Sequence, residues 1–111
     1  MCGIAGIITV SGTPESMQGS VLKMMDSIRH RGPDGEGIWL DPLRPVALGH
    51  RRLAIIDPEH GKQPMTTEDG RYTIVFNGAI YNYLELRREL IGRGHPLRSF
   101  SDTEVLLYAF R

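Results

Sequence analysis

The chain has 111 residues, 41% of them hydrophobic and 23% charged, with 13 basic side chains balancing 13 acidic ones. That length sets one domain with a real core, and zero formal charge excludes an electrostatic grip on nucleic acid or a membrane surface. No apolar run approaches the roughly 20 residues that cross a bilayer, and a single cysteine excludes a disulfide framework or a Cys-rich zinc site.

Ile4 to Val10 is a short β-branched run, predicted as a buried strand. Ser11-Gly12-Thr13-Pro14 breaks it, and Pro14 suits the first turn of a helix. Met17, Val21, Met24, Met25 and Ile28 then recur at helical spacing, with the methionines as core filler. Gly32-Pro33-Asp34-Gly35 is a turn by composition. Gly37 to Leu40 and Val46 to Ile56 are predicted strands, followed by a polar connection through Gly61 and Pro64. Tyr72 to Phe76 is a further strand, with Asn77-Gly78 as a turn signal. Tyr83 to Leu90 is a helix with Leu84, Leu90 and Ile91 on one side, ended by Gly92 and Gly94. Ser101 and Glu104 have capping-box spacing at the start of a last helix. The expected order is β, α, β, β, β, α, β, α, an α+β arrangement rather than a regular parallel βαβ sheet.

Cys2 is the first candidate for chemistry. Removal of Met1 would leave it with both a thiol and a free α-amine. These two groups ordinarily titrate within about a unit of each other. The amine can therefore accept the thiol proton, and no histidine base is needed. The plain alternative is a small residue at the start of a strand. Arg52 offers a guanidinium fork suited to a carboxylate, while its neighbour Arg51 points to the other face and is expected to be solvated. Asn77-Gly78 is either a hairpin turn or a pair of oxyanion donors. Asp102 stands in the first turn of the last helix, where a carboxylate offsets the helix dipole. The segment Arg29 to Asp34 reads as a charged loop without a derivable catalytic role. His30, His50, His60 and His95 lack the spacing of a helix-borne metal pair, so no metal and no cofactor are expected in this chain.

Met1-Cys2-Gly3-Ile4-Ala5-Gly6-Ile7 resembles the opening of the class II glutamine amidotransferases, which are N-terminal-nucleophile (Ntn) hydrolases. Four later blocks resemble the same family in the same order. They are Arg29 to Gly35, His50 to Asp57, Asn77-Gly78-Ala79-Ile80-Tyr81-Asn82-Tyr83 and Ser101-Asp102-Thr103-Glu104. The second and third blocks of the five are similar to the asparagine synthetase branch. The resemblance implies the αββα four-layer sandwich of the Ntn hydrolases, incomplete in this chain. It implies that residues 1–111 are the N-terminal part of a type-2 glutamine amidotransferase domain, with the ATP-dependent synthetase domain absent.

It also implies roles. Cys2 is the nucleophile, with the Asn77 side chain and the Gly78 N–H as oxyanion donors. Arg52 takes the α-carboxylate of glutamine and Asp102 its α-ammonium. Leu53, Ile55 and Ile56 line the pocket, as does Ala79. The branch usually carries Glu where this chain has Ala79, so one ammonium partner is missing. The implied partners are L-glutamine and a synthetase domain that uses ammonia with ATP and Mg; a homo-oligomer is compatible. No nucleic acid or membrane partner and no targeting leader are expected, and the setting is a reducing cytoplasm. Two rival readings are a non-catalytic fragment or interaction module, and the glutaminase part of another class II amidotransferase.

Overall fold

The computed structural model describes residues 2–53 and 61–111. The first half builds strand β1 (Gly3–Ile8), helix α1 (Pro14–Ser27), a 3₁₀ turn (Arg29–Arg31), and strands β2 (Gly35–Leu40) and β3 (Val46–Arg52). The second half adds β4 (Met65–Thr66), β5 (Thr73–Ile74), α2 (Tyr83–Gly92) and α3 (Asp102–Phe110). The result is a mixed α and β fold with two antiparallel sheets, one ordered β1-β3-β2 and one a β4-β5 pair. No helix among the described residues is long and apolar enough to cross a membrane.

Helix α1 starts where Pro14 is expected to start it. The cap is a reciprocal one: Thr13 Oγ1 accepts from the Ser16 N–H at 3.1 Å, and Ser16 Oγ accepts from the Thr13 N–H at 3.2 Å. Met17, Val21 and Met25 lie on its inner face and pack with Ala47, Ala5, Ile7, Ile38 and Leu40 of the sheet. Met24 is 40% exposed and stands outside that core, one step round the helix from the stripe.

The sheet register sorts the strands into two faces. Opposed residues share a face. Ala5↔Gly49, Ile7↔Ala47, Ile38↔Gly49 and Leu40↔Ala47 belong to the face under α1. Ile4↔His50, Gly37↔His50 and Gly35↔Arg52 belong to the opposite face. Gly37 allows the close approach on which the second half depends. A Cβ there would lie 2.1 Å from the Gln63 carbonyl oxygen, so a side chain would push the 61–64 segment off the sheet.

Several expectations need correction. The strand expected over Tyr72 to Phe76 shrinks to Thr73–Ile74. The strand expected to reach Ile56 ends at Arg52, and the positions 54–60 lie outside the described residues. Among the described residues no strand lies between α2 and α3. Side chains replace the ladder there: Glu104 Oε1 accepts from the N–H groups of Arg98 and Ser99 at 3.0 and 2.9 Å, and Arg87 Nε donates to the Ser99 carbonyl at 2.8 Å. Glu104 is therefore not the second arm of a capping box. Ser101 alone caps α3, accepting from the Thr103 N–H at 3.1 Å. Helix α2 buries no residue, and Leu84 and Ile91 stay 45% and 44% exposed.

Candidate active site

Cys2 immediately precedes β1. Its sulfur accepts from the Leu53 N–H at 3.3 Å and stands 3.7 Å from the Leu53 carbonyl oxygen. The side chain is thus seated against the end of β3, the next strand in the sheet. Arg31 Nε donates to the Cys2 carbonyl at 3.1 Å. The Asp34 N–H donates to the Arg52 carbonyl at 2.9 Å. The segment Arg29 to Asp34, expected as a charged loop, therefore braces the backbones of Cys2 and Arg52. Arg51 corrects another expectation. It is 6% exposed, with Nε donating to the Gly32 carbonyl at 3.1 Å and Nη1 to Glu36 at 2.6 Å. The cross-strand pairing Glu36↔Arg51 brings those charges together and removes Arg51 from bulk water.

A cleft of about 410 Å³ opens beside Cys2. Arg52 and Leu53 line it from the end of β3, Asn77, Gly78 and Ala79 from the segment after β5, and Asp102 from the first turn of α3. Ile55 and Ile56, also expected at the pocket, lie outside the described residues. The remaining expected residues thus reach one cavity from positions up to 100 apart in the chain.

Local structure explains each placement. Arg52 is 8% exposed at the last position of β3. Asp102 is buried, and its Oδ2 accepts from the Ile80 N–H at 3.0 Å. That bond ties the Asn77–Ile80 segment to α3, and a carboxylate has lone pairs left for a ligand. Asn77-Gly78 is not a hairpin turn, because the chain passes from β5 through residues 75–82 into α2. A Cβ on Gly78 would lie 2.7 Å from the Phe76 ring, so a side chain there would displace that ring.

Gln63, Phe76, Tyr81, Ser101 and Thr103 also line the cleft. Gln63 sits in a stretch that reads as a polar connection, and a lone glutamine carries no spacing signal. Its burial alone reveals it. His50 is fully buried, and burial lowers its pKa below the ordinary value near 6.5; its hydrogen bond to the Phe76 carbonyl opposes that shift, and the Arg52 charge adds to it.

A carboxylate, a guanidinium, an amide beside a glycine N–H and a thiol around one cavity suit an amino-acid amide undergoing acyl transfer. The family profile described as glutamine amidotransferase domain matches residues 1–111, and the chain belongs to that family. The relatives it matches include asparagine synthetases. Asparagine synthetase [glutamine-hydrolyzing] 1 of Bacillus subtilis (strain 168) is 46% identical over 113 residues, covering 100% of this chain and 18% of the relative. Asparagine synthetase [glutamine-hydrolyzing] 3 of the same organism is 41% identical, covering 99% of this chain and 18% of the relative. Asparagine synthetase [glutamine-hydrolyzing] 1 of Arabidopsis thaliana is 38% identical over 99% of this chain and 18% of its own length. The chain thus spans less than a fifth of the length of these curated relatives.

Proposed function

We propose that this chain is the glutaminase portion of a glutamine-hydrolysing asparagine synthetase. It releases ammonia from L-glutamine, and a synthetase domain outside this chain uses the ammonia, with ATP and Mg, to amidate aspartate. The observation that carries the reading is the convergence of Cys2, Arg52, Asn77, Gly78 and Asp102 on one cleft.

The chemistry follows from those groups. Once Met1 is removed, the Cys2 α-amine takes the thiol proton, and sulfur adds to the side-chain amide carbon of glutamine. The carbonyl oxygen becomes an oxyanion that accepts from the Asn77 side-chain amide and the Gly78 N–H. The C–N bond breaks as the Cys2 ammonium returns its proton to nitrogen, and ammonia leaves. Water, deprotonated by the same amine, attacks the thioester carbon. Glutamate departs and the thiol is restored. Arg52 grips the α-carboxylate through its fork and Asp102 the α-ammonium. Leu53 and Ala79 border the substrate, and the family resemblance gives Ile55 and Ile56 the same role.

The two antiparallel sheets are taken as the inner layers of an αββα sandwich, with α1 outside one and α3 outside the other. A cytoplasmic location and a homo-oligomeric whole protein complete the reading. The test is Cys2→Ala in the whole protein that carries this chain. Glutamine-dependent asparagine formation is expected to disappear while formation from free ammonia persists, because only the first needs the thiol. Equal loss of both, or retained glutamine hydrolysis, refutes the assignment.

A further inference from the structure

Phe76 immediately precedes the Asn77-Gly78 pair, and side chains from elsewhere hold both of its backbone polar groups. Its N–H donates to Gln63 Oε1 at 2.6 Å, and its carbonyl accepts from His50 Nε2 at 3.2 Å. Gln63 has a second attachment: its Nε2 donates to Thr103 Oγ1 at 3.1 Å, one residue after Asp102. His50 is 0% exposed and Gln63 9%, so water does not compete freely for these bonds. The Phe76 ring itself packs beneath Gly78, within 2.7 Å of where a Cβ would stand.

We propose that His50 and Gln63 are positioning residues that clamp Phe76 and thereby aim the Asn77 amide and the Gly78 N–H at the oxyanion. The inference rests on the reading of Asn77 and Gly78 as oxyanion donors and adds the residues that hold them. The carbonyl that His50 holds belongs to the peptide unit shared with Asn77. Fixing it fixes the plane from which the Asn77 side chain and the next N–H project. Gln63 fixes the preceding peptide unit and refers it to the start of α3. The two halves of the cleft, oxyanion donors and Asp102, are thus held in mutual register by one amide side chain.

Two features of His50 fit this role better than space-filling. Its Nε2 must carry the proton to donate to a carbonyl, which leaves Nδ1 as the bare nitrogen. Nδ1 is buried with no hydrogen-bond partner among the described residues. An unpartnered buried nitrogen costs stability that an apolar residue of similar size would avoid. The neutral ring that the clamp needs is also the form that burial favours. Oxyanion donors act in the transition state alone, so misaiming them lowers kcat and spares ground-state binding.

The experiment uses His50→Leu, His50→Gln, Gln63→Leu and Thr103→Val in the whole protein that carries this chain. It reads kcat and KM for glutamine hydrolysis, the rate of Cys2 alkylation by iodoacetamide, and asparagine formation from free ammonia. Alkylation attacks a methylene carbon and builds no oxyanion. His50→Leu and Gln63→Leu should each lower kcat about 10- to 100-fold, with KM changed by less than about threefold. His50→Gln places an amide N–H near the former Nε2 and should recover most of kcat. Alkylation and ammonia-driven synthesis should stay at wild-type rates. Should the leucine variants not fold, Thr103→Val decides, since it removes the anchor of Gln63 with little change in shape. A severalfold fall in kcat is expected from it. Unchanged kcat in the folded variants, a rise in KM without loss of kcat, or a His50→Gln variant no better than His50→Leu would overturn the clamp. Cys2→Ala runs alongside: if it keeps glutaminase activity, the underlying reading has failed. If it is dead while the clamp variants keep their kcat, the clamp alone has failed.

Discussion

The two faces of the β1-β3-β2 sheet are built from the same three strands and do opposite things. The face under α1 carries the apolar core: Met17, Val21, Met25 and Ala47 are buried there against Ala5, Ile7, Ile38 and Leu40. The other face carries His50 and Arg52, both buried, beside Gly37, which leaves room for the 61–64 segment. Strand alternation makes this division possible, because each residue step in β3 changes face. The apolar core lies on one side with the Arg51–Glu36 pair at its end, and His50 and Arg52 lie on the other. The apolar side gains from burial without geometric demands, whereas each buried polar group needs a partner at a fixed distance.

That contrast can be broken most forcefully from the apolar side. Met25→Ala would open a cavity where the side chain is 1% exposed, and an expected loss of about 2–5 kcal/mol should appear as a lower denaturation midpoint. The protein that remains folded should keep its KM for glutamine. A large change in KM would mean that the two faces are coupled more tightly than their packing suggests.

Asn77→Ala is the counterpart on the open side. Its position is exposed in the cleft and contributes little to packing. Glutaminase kcat should fall about 10²–10³-fold, with the melting temperature nearly unchanged. A melt that drops as far as that of Met25→Ala would assign Asn77 to structure instead.

Ala79→Glu sharpens the contrast in the gaining direction. Asp102 already spends one lone pair on the Ile80 N–H, and in the proposed site a second carboxylate would share the substrate ammonium with it. A charge-assisted hydrogen bond of about 1.5–3 kcal/mol corresponds to a fall in KM of roughly 10- to 100-fold. The ammonium does not change during the reaction, so kcat should stay the same. Steady-state kinetics of the variant decide it, and an unchanged or higher KM would remove Ala79 from the binding site.

The smallest expected effect is one of pH. The His50 pKa is lowered in the fold, chiefly by burial. Above its ordinary value near 6.5 the ring is neutral in both states and adds no pH dependence. Below that value the unfolded chain gains a proton that the folded one does not, so stability falls as pH falls toward the lowered value. Thermal melts between about pH 7.5 and 5 should show this slope in wild type and a shallower one in His50→Gln. Equal slopes would mean that His50 titrates normally in the fold.

Much of this molecule is legible in the chain order of residues. The stripe of Met17, Val21 and Met25, the punctuation by Pro14, and the alternation in β3 are local patterns, and local patterns follow from the repeat of helix and strand. The residues at the cleft were legible through motif resemblance, which carries positions without distances. Tertiary structure alone decided the rest. It withdrew Arg51 from water because Glu36 and the Gly32 carbonyl face it across the sheet. It turned Glu104 from a cap into the anchor of the 98–99 backbone. It brought His50 and Gln63 to the two sides of one peptide segment. None of these has a sequence period, because each depends on where a distant backbone N–H or carbonyl needs a partner once water has been excluded.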